Sequence, residues 1–510
     1  MKRTSGILAA LLAAAMLLPS CSGGGNTDDT SAPGSTSDDT TVAEETTTAD
    51  PNDRSGVKDS IPDGLTFNGE TVRLLYRGQA DGKGLIELYD ACGTDNVGDY
   101  VTDGVFERNR KTEERLGVTL DLVPTGPGNL SDTSALISQL VVSGSDEYDL
   151  LITTGNTNVV KSLNVYLRDL ANIPYVDYDE PWWWSETIDA ISLDGKTYNY
   201  IYGDGLIYCY IQTGVVYYNK AMYENLWGNP DAMYETVMDG KWTIDKMIEL
   251  TAAAYSDVNG DGVPNAGDRF GSMKTQSQGE ETPHFMQGFA IEMYHHDDEG
   301  NLIIEFDKER AVTAVDKLGA FYTTTTGVFH SDEGIDQSDK YFAQDYFLFF
   351  PARLARALNA NLREMESPYG ILPYPKLDEA QKEYVSLIHD SSTNYSVPKT
   401  VSDKKLETVG AVLEATSAES YRSVMPQFLE TALKLKYSQD AASGQVIDIV
   451  VAGVTKNTLM EYGTFSADIV TTCLFNPAKS GNNNFSSAYA KVQPAAQKTW
   501  NKALSKLMND

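Results

Sequence analysis

Between Thr71 and Ile152 the apolar residues switch repeatedly between two spacings, and this alternation limits the fold more than any other feature of the chain. Thr71–Tyr76 (TVRLLY) reads as a short buried strand. Val105–Leu116 follows helical spacing and is stopped by Gly117, a residue that tolerates the left-handed geometry of a helix end. Val118, Leu120 and Leu122 then alternate, as in a strand with one buried face. Leu136, Ile137, Leu140 and Val141 return to helical spacing before Gly144, and Asp149–Ile152 (DLLI) closes the series as another buried strand. Strand–helix–strand–helix–strand predicts an α/β fold with a mainly parallel sheet covered on both faces by helices. Such sheets hold ligands beyond the carboxyl ends of their strands, here the loops that begin at Arg77 and Thr153.

A long preamble precedes the first strand. Lys2 and Arg3 lead into an apolar run, Ile7–Leu18, too short and wrongly flanked to span a bilayer, so residues 1–20 read as a signal peptide. Leu18-Pro19-Ser20-Cys21 resembles the lipobox of bacterial lipoproteins, with Pro19 a less common occupant of its position. That resemblance implies cleavage before Cys21, lipidation of this residue, and a place on the outer face of the cell membrane. Residues 21–60 are mostly Ser, Thr, Asp, Glu and Gly, and bury too little apolar surface to offset their ordering entropy. They read as a disordered acidic tether.

The remainder, about 450 residues, is too long for one ordinary core, so two lobes are expected. Cys92, Cys209 and Cys473 are far apart and form no CxxC, which favours three buried thiols over a disulfide framework. A formal charge of −33, from 73 acidic and 40 basic residues, excludes nucleic acid and anionic lipid as partners of the folded part.

Asp257–Asp268 (DVNGDGVPNAGD) has the spacing of a calcium loop. Asp257, Asn259 and Asp261 supply oxygens at alternate positions, Gly262 makes the sharp turn, Val263 offers its carbonyl, Asn265 acts directly or through water, and Asp268 closes the cage. Asp268 stands where a longer Glu is usual. The competing reading is a pair of Asn-Gly and Asp-Gly turns with no metal. One such loop resembles half of a dockerin, which needs two, so a structural calcium is the preferred expectation.

Downstream, Tyr198–Tyr218 is an apolar-aromatic run bent at Gly203-Asp204-Gly205. Thr243 is placed to cap a helix running to about Tyr255. Phe347–Phe350 and Tyr369–Pro373 are strand candidates, and residues 403–416, 419–438, 441–453 and 487–507 read as helices.

In sequence, Tyr148-Asp149-Leu150-Leu151, Leu167-Arg168-Asp169-Leu170, Pro181-Trp182-Trp183-Trp184, Asp194-Gly195-Lys196-Thr197-Tyr198, Val216-Tyr217-Tyr218-Asn219-Lys220, Gly240-Lys241-Trp242-Thr243 and Gly370-Ile371-Leu372-Pro373 resemble the extracellular solute-binding proteins of ATP-driven (ABC) importers, the family that includes sugar binders. The resemblance implies a periplasmic-binding-protein-like fold of type II, with two α/β lobes joined by a multi-strand hinge. It implies one lobe of residues 61–204 plus 345–374, and another of 205–344 plus 375–510. Also implied are a monomer, a small solute (a mono- or oligosaccharide, with peptide, polyamine and uronate open), delivery to ABC permease subunits, and no catalysis.

Sugars are held by aromatic faces and by polar groups at ring edges. Arg77 and Asn156 follow strand ends and are candidate ligand contacts. Trp184 is the candidate among three adjacent tryptophans, against the alternative that all three pack the lobe; Trp242 is expected in the core. By resemblance Asp204 sits where the hinge passes. Arg353 follows a strand, with a surface ion pair as its alternative, and Asn394 and Tyr395 end a polar stretch after His389 expected in the second lobe. His295-His296 reads as a solvated turn. No nucleophile elbow, phosphate loop, dinucleotide fingerprint or zinc-protease helix is present. The rival functions are a surface carbohydrate-active enzyme, which needs two opposed carboxylates, and a calcium-stabilised adhesion or scaffold lipoprotein.

Overall fold

β1 (Glu70–Tyr76) lies between two parallel neighbours, β2 (Val118–Pro124) and β3 (Leu150–Thr154), with Leu74 opposite both Leu122 and Leu150. The structure is a computed structural model and describes residues 54–78, 85–93, 100–126, 130–154, 165–192, 194–265, 267–275, 281–331, 335–389, 391–429, 441–454 and 469–509. Helices Tyr100–Leu116 and Leu130–Val142 carry the chain between these strands. Gly117 (φ 59°) and Gly144 (φ 69°) both take the left-handed conformation that a helix stop requires. The parallel strand–helix series expected from the sequence is therefore present.

A second, antiparallel sheet is centred on β4 (Gly214–Asn219), all of whose residues are buried. Two further pairs complete the described strands: β5 (Ser272–Thr275) with β8 (Val328–Ser331), and the hairpin of β6 (Tyr294–His296) and β7 (Leu302–Ile304). β4 is flanked by β9 (Phe349–Arg353) and β10 (Tyr369–Leu372). This corrects the lobe boundaries: residues 345–374 were expected with the first lobe, but β9 and β10 hydrogen-bond to β4. Apolarity marks Phe347–Phe350 as buried without saying which sheet it joins.

The same limit applies to the last 120 or so residues. β11 (Thr393–Ser396) pairs antiparallel with β3, giving the first sheet the order β11-β3-β1-β2. Helix Asp403–Glu419 packs on Tyr100–Leu116. Neither stays with the second sheet, where 375–510 was expected.

Other segments follow or amend the sequence reading. The Thr243 side chain accepts the Lys246 N–H and caps helix Ile244–Ala254, a bond worth about 1 kcal/mol. Trp242 is fully buried and donates Nε1–H to the Pro373 carbonyl at 2.8 Å. Cys92, Cys209 and Cys473 are buried free thiols. The Tyr198–Tyr218 run is broken by a short helix, Ile207–Ile211, before β4 begins. His295 and His296 lie in β6 rather than in a turn; the turn is Asp297–Gly300, and His296 Nε2 reaches the Ser192 carbonyl. No helix of the described residues is long and apolar enough to cross a membrane.

Of the tether expected over residues 21–60, residues 21–53, like the signal peptide and Cys21, lie outside the described residues, and residues 54–60 are packed: the Arg54 guanidinium lies 4.4 Å from the Tyr421 ring centre. Asp59 is gripped by Arg115 and Arg422, and Ser60 Oγ donates to Glu414 at 3.1 Å. Polar composition hid this docking, because it is made by ion pairs rather than apolar burial.

Candidate functional site

Three backbone segments run side by side between the two sheets. Residues 212–214 lead from helix Ile207–Ile211 into β4, residues 353–354 leave β9, and residues 387–389 lead toward β11. Gly214 N–H donates to the Leu387 carbonyl (2.9 Å), Leu354 N–H to Thr213 (2.8 Å) and His389 N–H to Gln212 (3.1 Å). Only glycine fits at position 214, since an added Cβ would stand 2.0 Å from the His284 ring. The His284 ring in turn stacks against Tyr374 (5.3 Å between centres) and His389 (6.3 Å).

Polar side chains gather at this crossing. Gln212 Oε1 accepts from Arg353 Nη1 at 2.5 Å and from Ser391 Oγ at 3.3 Å. Two donors on one atom fix the orientation of the amide, so its Nε2 faces the other way as a donor. His389 Nδ1 lies 2.9 Å from Ser391 Oγ and accepts the Ser391 N–H at 3.2 Å. The Tyr208 hydroxyl hydrogen-bonds with Ser391; burial raises its pKa, while the charges of Arg353 and Arg77 pull against that rise. Arg77 lies at the carboxyl end of β1. Its N–H is fastened to the Ile152 carbonyl at 3.1 Å, so residue 77 prolongs the strand. At the next residue, Gly78, a Cβ would stand 2.6 Å from the Pro124 side chain.

Beneath Tyr208 lies a buried carboxyl. Asp90 Oδ1 accepts the Tyr208 N–H at 2.8 Å, and Oδ2 accepts the Thr393 hydroxyl at 2.6 Å. Burial pushes the Asp90 pKa up to about 7, despite these bonds and the nearby Arg108 charge. Arg108 is itself fully enclosed and held by the carbonyls of Asp90 (2.7 Å) and Gly205 (2.8 Å).

Of the residues singled out in the sequence, Arg353 lies at the crossing on Gln212, and Arg77, at the end of β1, is near enough for its charge to act on Tyr208. Asn156 lies outside the described residues. Asn394 and Tyr395 sit in β11, opposite Thr153 and Ile152, and are buried within the first sheet rather than in a polar loop of the second. A buried strand made of polar residues cannot be told from a loop by composition.

Trp184 and Asp204 do come together, but inside the lobe. Trp184 Nε1–H and the Tyr210 hydroxyl both donate to Asp204 Oδ1, at 3.2 and 2.6 Å, and the Trp184 ring stacks on Tyr202 at 5.7 Å with an interplanar angle of 10°. Burial pushes the Asp204 pKa up to about 6, against those two bonds and the Arg54 charge. Trp182 and Trp183 donate their indole N–H groups to Glu414 Oε2, at 3.3 and 2.9 Å. All three tryptophans are thus packed on the lobe, each indole N–H satisfied by one of two buried carboxyls. The side chains that sequence reasoning passed over are Tyr208, Gln212, His389, Ser391 and Asp90. The one signal was the position of Tyr208 and Gln212 between the glycine pair at 203 and 205 and the start of β4.

The Asp257–Asp268 loop has the turns calcium loops need, with Gly260 and Gly262 at φ 71° and 74°. Asp257 accepts the N–H groups of Gly260 (2.7 Å) and Gly262 (2.9 Å), Asp261 accepts from Val263 N–H and the Asn265 amide, and the buried Asp268 accepts from Val258 and Asn265 N–H groups. Asn259 is bonded to Asn265. The donor set is the hard-oxygen set calcium takes. Its carboxylates are turned onto the loop's own backbone, and among the described residues no three His, Cys, Asp or Glu side chains converge on one point. The donor chemistry fits the ion, but the cage is not preformed.

No family model matches the sequence, and no curated protein matches it. Solved structures do match in shape. The sugar-binding protein MalE from the phytopathogen Xanthomonas citri superimposes with a TM-score of 0.53 at 12% identity, over 86% of this chain and 100% of that one. A family 1 extracellular solute-binding protein from Bifidobacterium longum subsp. infantis gives 0.52 at 12%, over 85% and 100%. An uncharacterized protein of Listeria monocytogenes gives 0.53 at 12%, over 85% and 100%. The chain therefore has the two-lobed α/β architecture of type II periplasmic binding proteins. Two of the crossing segments join its sheets, residues 212–214 leading into β4 and residues 387–389 leading from β10 toward β11, while residues 353–354 belong to the β9–β10 connection within the second sheet.

Proposed function

We propose that this chain is the solute-capturing component of an ATP-driven importer, and that it takes a small polyhydroxy solute where the three segments cross. The observation that carries the reading is the convergence of Tyr208, Gln212, Arg353, His389 and Ser391 where the segments cross, with the Arg77 charge acting on Tyr208 from the end of β1. In a hinged protein, groups placed there touch the ligand in both lobes' frames and feel the closing motion most directly. The solute shifts an open–closed equilibrium, the closed form is handed to permease subunits, and the solute leaves unchanged. Neighbours named as sugar- and solute-binding proteins support capture without turnover. Lipidation at Cys21 would hold the protein on the outer face of the membrane, and a Cys21→Ala chain would be shed into the medium.

Thermal denaturation against a panel of saccharides tests the reading. A binder raises the melting temperature in step with its concentration, and mass spectrometry recovers it intact. A panel without any shift, or recovery of a cleaved product, would reject it.

We further propose that the Asp257–Asp268 loop takes a structural calcium through Asp257, Asn259, Asp261, the Val263 carbonyl, Asn265 and Asp268. Chelator should then lower the melting temperature of the wild type and leave an Asp257→Ala/Asp261→Ala variant unchanged. Identical melting with and without chelator would remove the ion.

A further inference from the structure

Arg77 stands out in a chain with so many acids. Nearly every other described arginine has found a partner: Arg73 holds Asp149, Arg115 holds Asp59, Arg168 holds Asp403 and Arg356 holds Asp339. Arg269 and Arg363 make no such contact but are exposed, where water serves them. Among the described residues, Arg77 is the half-buried arginine whose guanidinium makes no hydrogen bond, ion pair or ring contact. With 73 carboxylates in the sequence, its isolation is not for want of acids.

Its position gives that isolation a meaning. The carboxyl end of a central parallel strand is where α/β sheets receive ligands, and the Ile152 bond fixes residue 77 there. A second guanidinium, Arg353, acts on the same Tyr208 hydroxyl and is itself held by Gln212 at 2.5 Å. The carboxyl nearest by bonding, Asp90, is turned inward onto the Tyr208 N–H and Thr393. Arginine suits a planar anion because its fork gives two parallel N–H bonds, and partial burial strengthens them.

We propose that the solute is anionic: a sugar bearing a carboxylate or sulfate group that docks on Arg77, with its hydroxyls on Gln212 and Ser391. This rests on the capture reading above and narrows its substrate class. Local charge then selects the ligand against a chain whose overall charge of −33 would otherwise repel it.

Calorimetry of the full-length mature protein tests the proposal with four probes: a uronic acid disaccharide, its methyl ester, a sulfated disaccharide, and the neutral parent disaccharide. The expected result is at least tenfold tighter binding of one acidic probe than of the ester or neutral parent, weakened by added salt. Arg77→Gln should erase that preference, and Arg77→Lys should keep part of it, both with wild-type melting. The uronate and sulfate arms distinguish the two sources of charge. Equal or tighter binding of the neutral parent overturns the proposal and leaves solute capture standing. An acidic preference that survives in Arg77→Gln overturns the role of Arg77. If no probe, charged or neutral, binds at millimolar concentration, both the proposal and the capture reading fall. Should Arg77→Gln not fold, the ester comparison on the wild type and the partial effect of Arg77→Lys still decide.

Discussion

The Tyr208 N–H meets Asp90 Oδ1 at 2.8 Å, although 118 residues separate the two along the chain. The bond ties the helix leading into β4 to the floor of the first lobe, and it ends on a carboxyl that burial has pushed up to about 7 from an ordinary 3.8. Between those two values the unfolded chain has given up the proton while the folded chain keeps it. Stability must therefore fall as pH rises through this window, by up to about 4 kcal/mol for this one group. Asparagine at position 90 keeps both bonds, with Nδ2 now donating to the Thr393 hydroxyl, and has nothing to titrate. Asp90→Asn should gain on the wild type steadily from pH 4.5 to pH 8 in urea denaturation. Parallel stability profiles would show that Asp90 is ionised throughout, held so by Arg108.

Asp204 makes the same argument with a reporter attached. Its pKa, pushed up to about 6, is coupled to the Trp184 indole through the shared Oδ1. The Trp184 N–H resonance should move with a midpoint near pH 6, and Asp204→Asn should abolish the movement. Glu414 is likewise raised by burial against its indole bonds. Asp59 and Glu70 lie the other way, for despite burial their bonds to Arg115, Arg422 and Lys405 hold them below the ordinary range. Their contribution to stability is lost as pH falls, and that of the raised groups Asp90, Asp204 and Glu414 is lost as pH rises. The most stable pH should lie well on the acid side of neutrality, in the ordinary carboxylate range where the two trends cross; a maximum at pH 7 or above would contradict this.

How much of this was legible beforehand depends on the kind of information each element needs. β1, β2 and β3 and the two helices between them follow from apolar period alone, and Gly117 and Gly144 mark their ends. The partner of a strand does not, so β9, β10 and β11 were placed with the wrong neighbours. The place of Arg77 at a strand end could be read because position after a strand is a local property. Tyr208, Gln212 and Ser391 were missed because they become neighbours only when three distant segments cross. Trp184 was over-read for a related reason: the carboxyl that satisfies it, Asp204, is 20 positions away and looks like a ligand group itself.

The docking of the chain at Arg54–Ile61 predicts a stability cost for a residue that composition would assign to the tether. The Asp59 side chain is 2% exposed and takes bonds from Arg115 (2.5 and 2.7 Å) and Arg422 (3.1 and 3.2 Å). Asp59→Ala leaves two guanidinium groups facing each other. Breaking a fully buried pair costs 3–5 kcal/mol, and with Arg115 about a third exposed the expected loss is about 2 kcal/mol. Protease should then cut within residues 54–61 in the variant and not in the wild type. Unchanged melting and unchanged cutting would mean the segment sits on the lobe without holding it.

The crossing makes one further claim that a paired substitution can isolate. A Cβ on residue 214 would lie 2.0 Å from His284 Cδ2, and the backbone on either side is fixed by the bonds to Leu387 and Leu354. Neither side can yield freely, because the His284 ring is itself wedged against Tyr374 at 5.3 Å. Gly214→Ala should therefore destabilise the chain by about 1–3 kcal/mol, as overpacking of a filled core does. If the clash is the cause, His284→Ala opens the space, and the double variant should recover most of what Gly214→Ala lost relative to His284→Ala alone. The coupling should also appear in solute binding, since a shifted ring moves His389 and, through it, Ser391. Additive losses in the double variant would place the effect of Gly214 in backbone freedom rather than in the contact with His284.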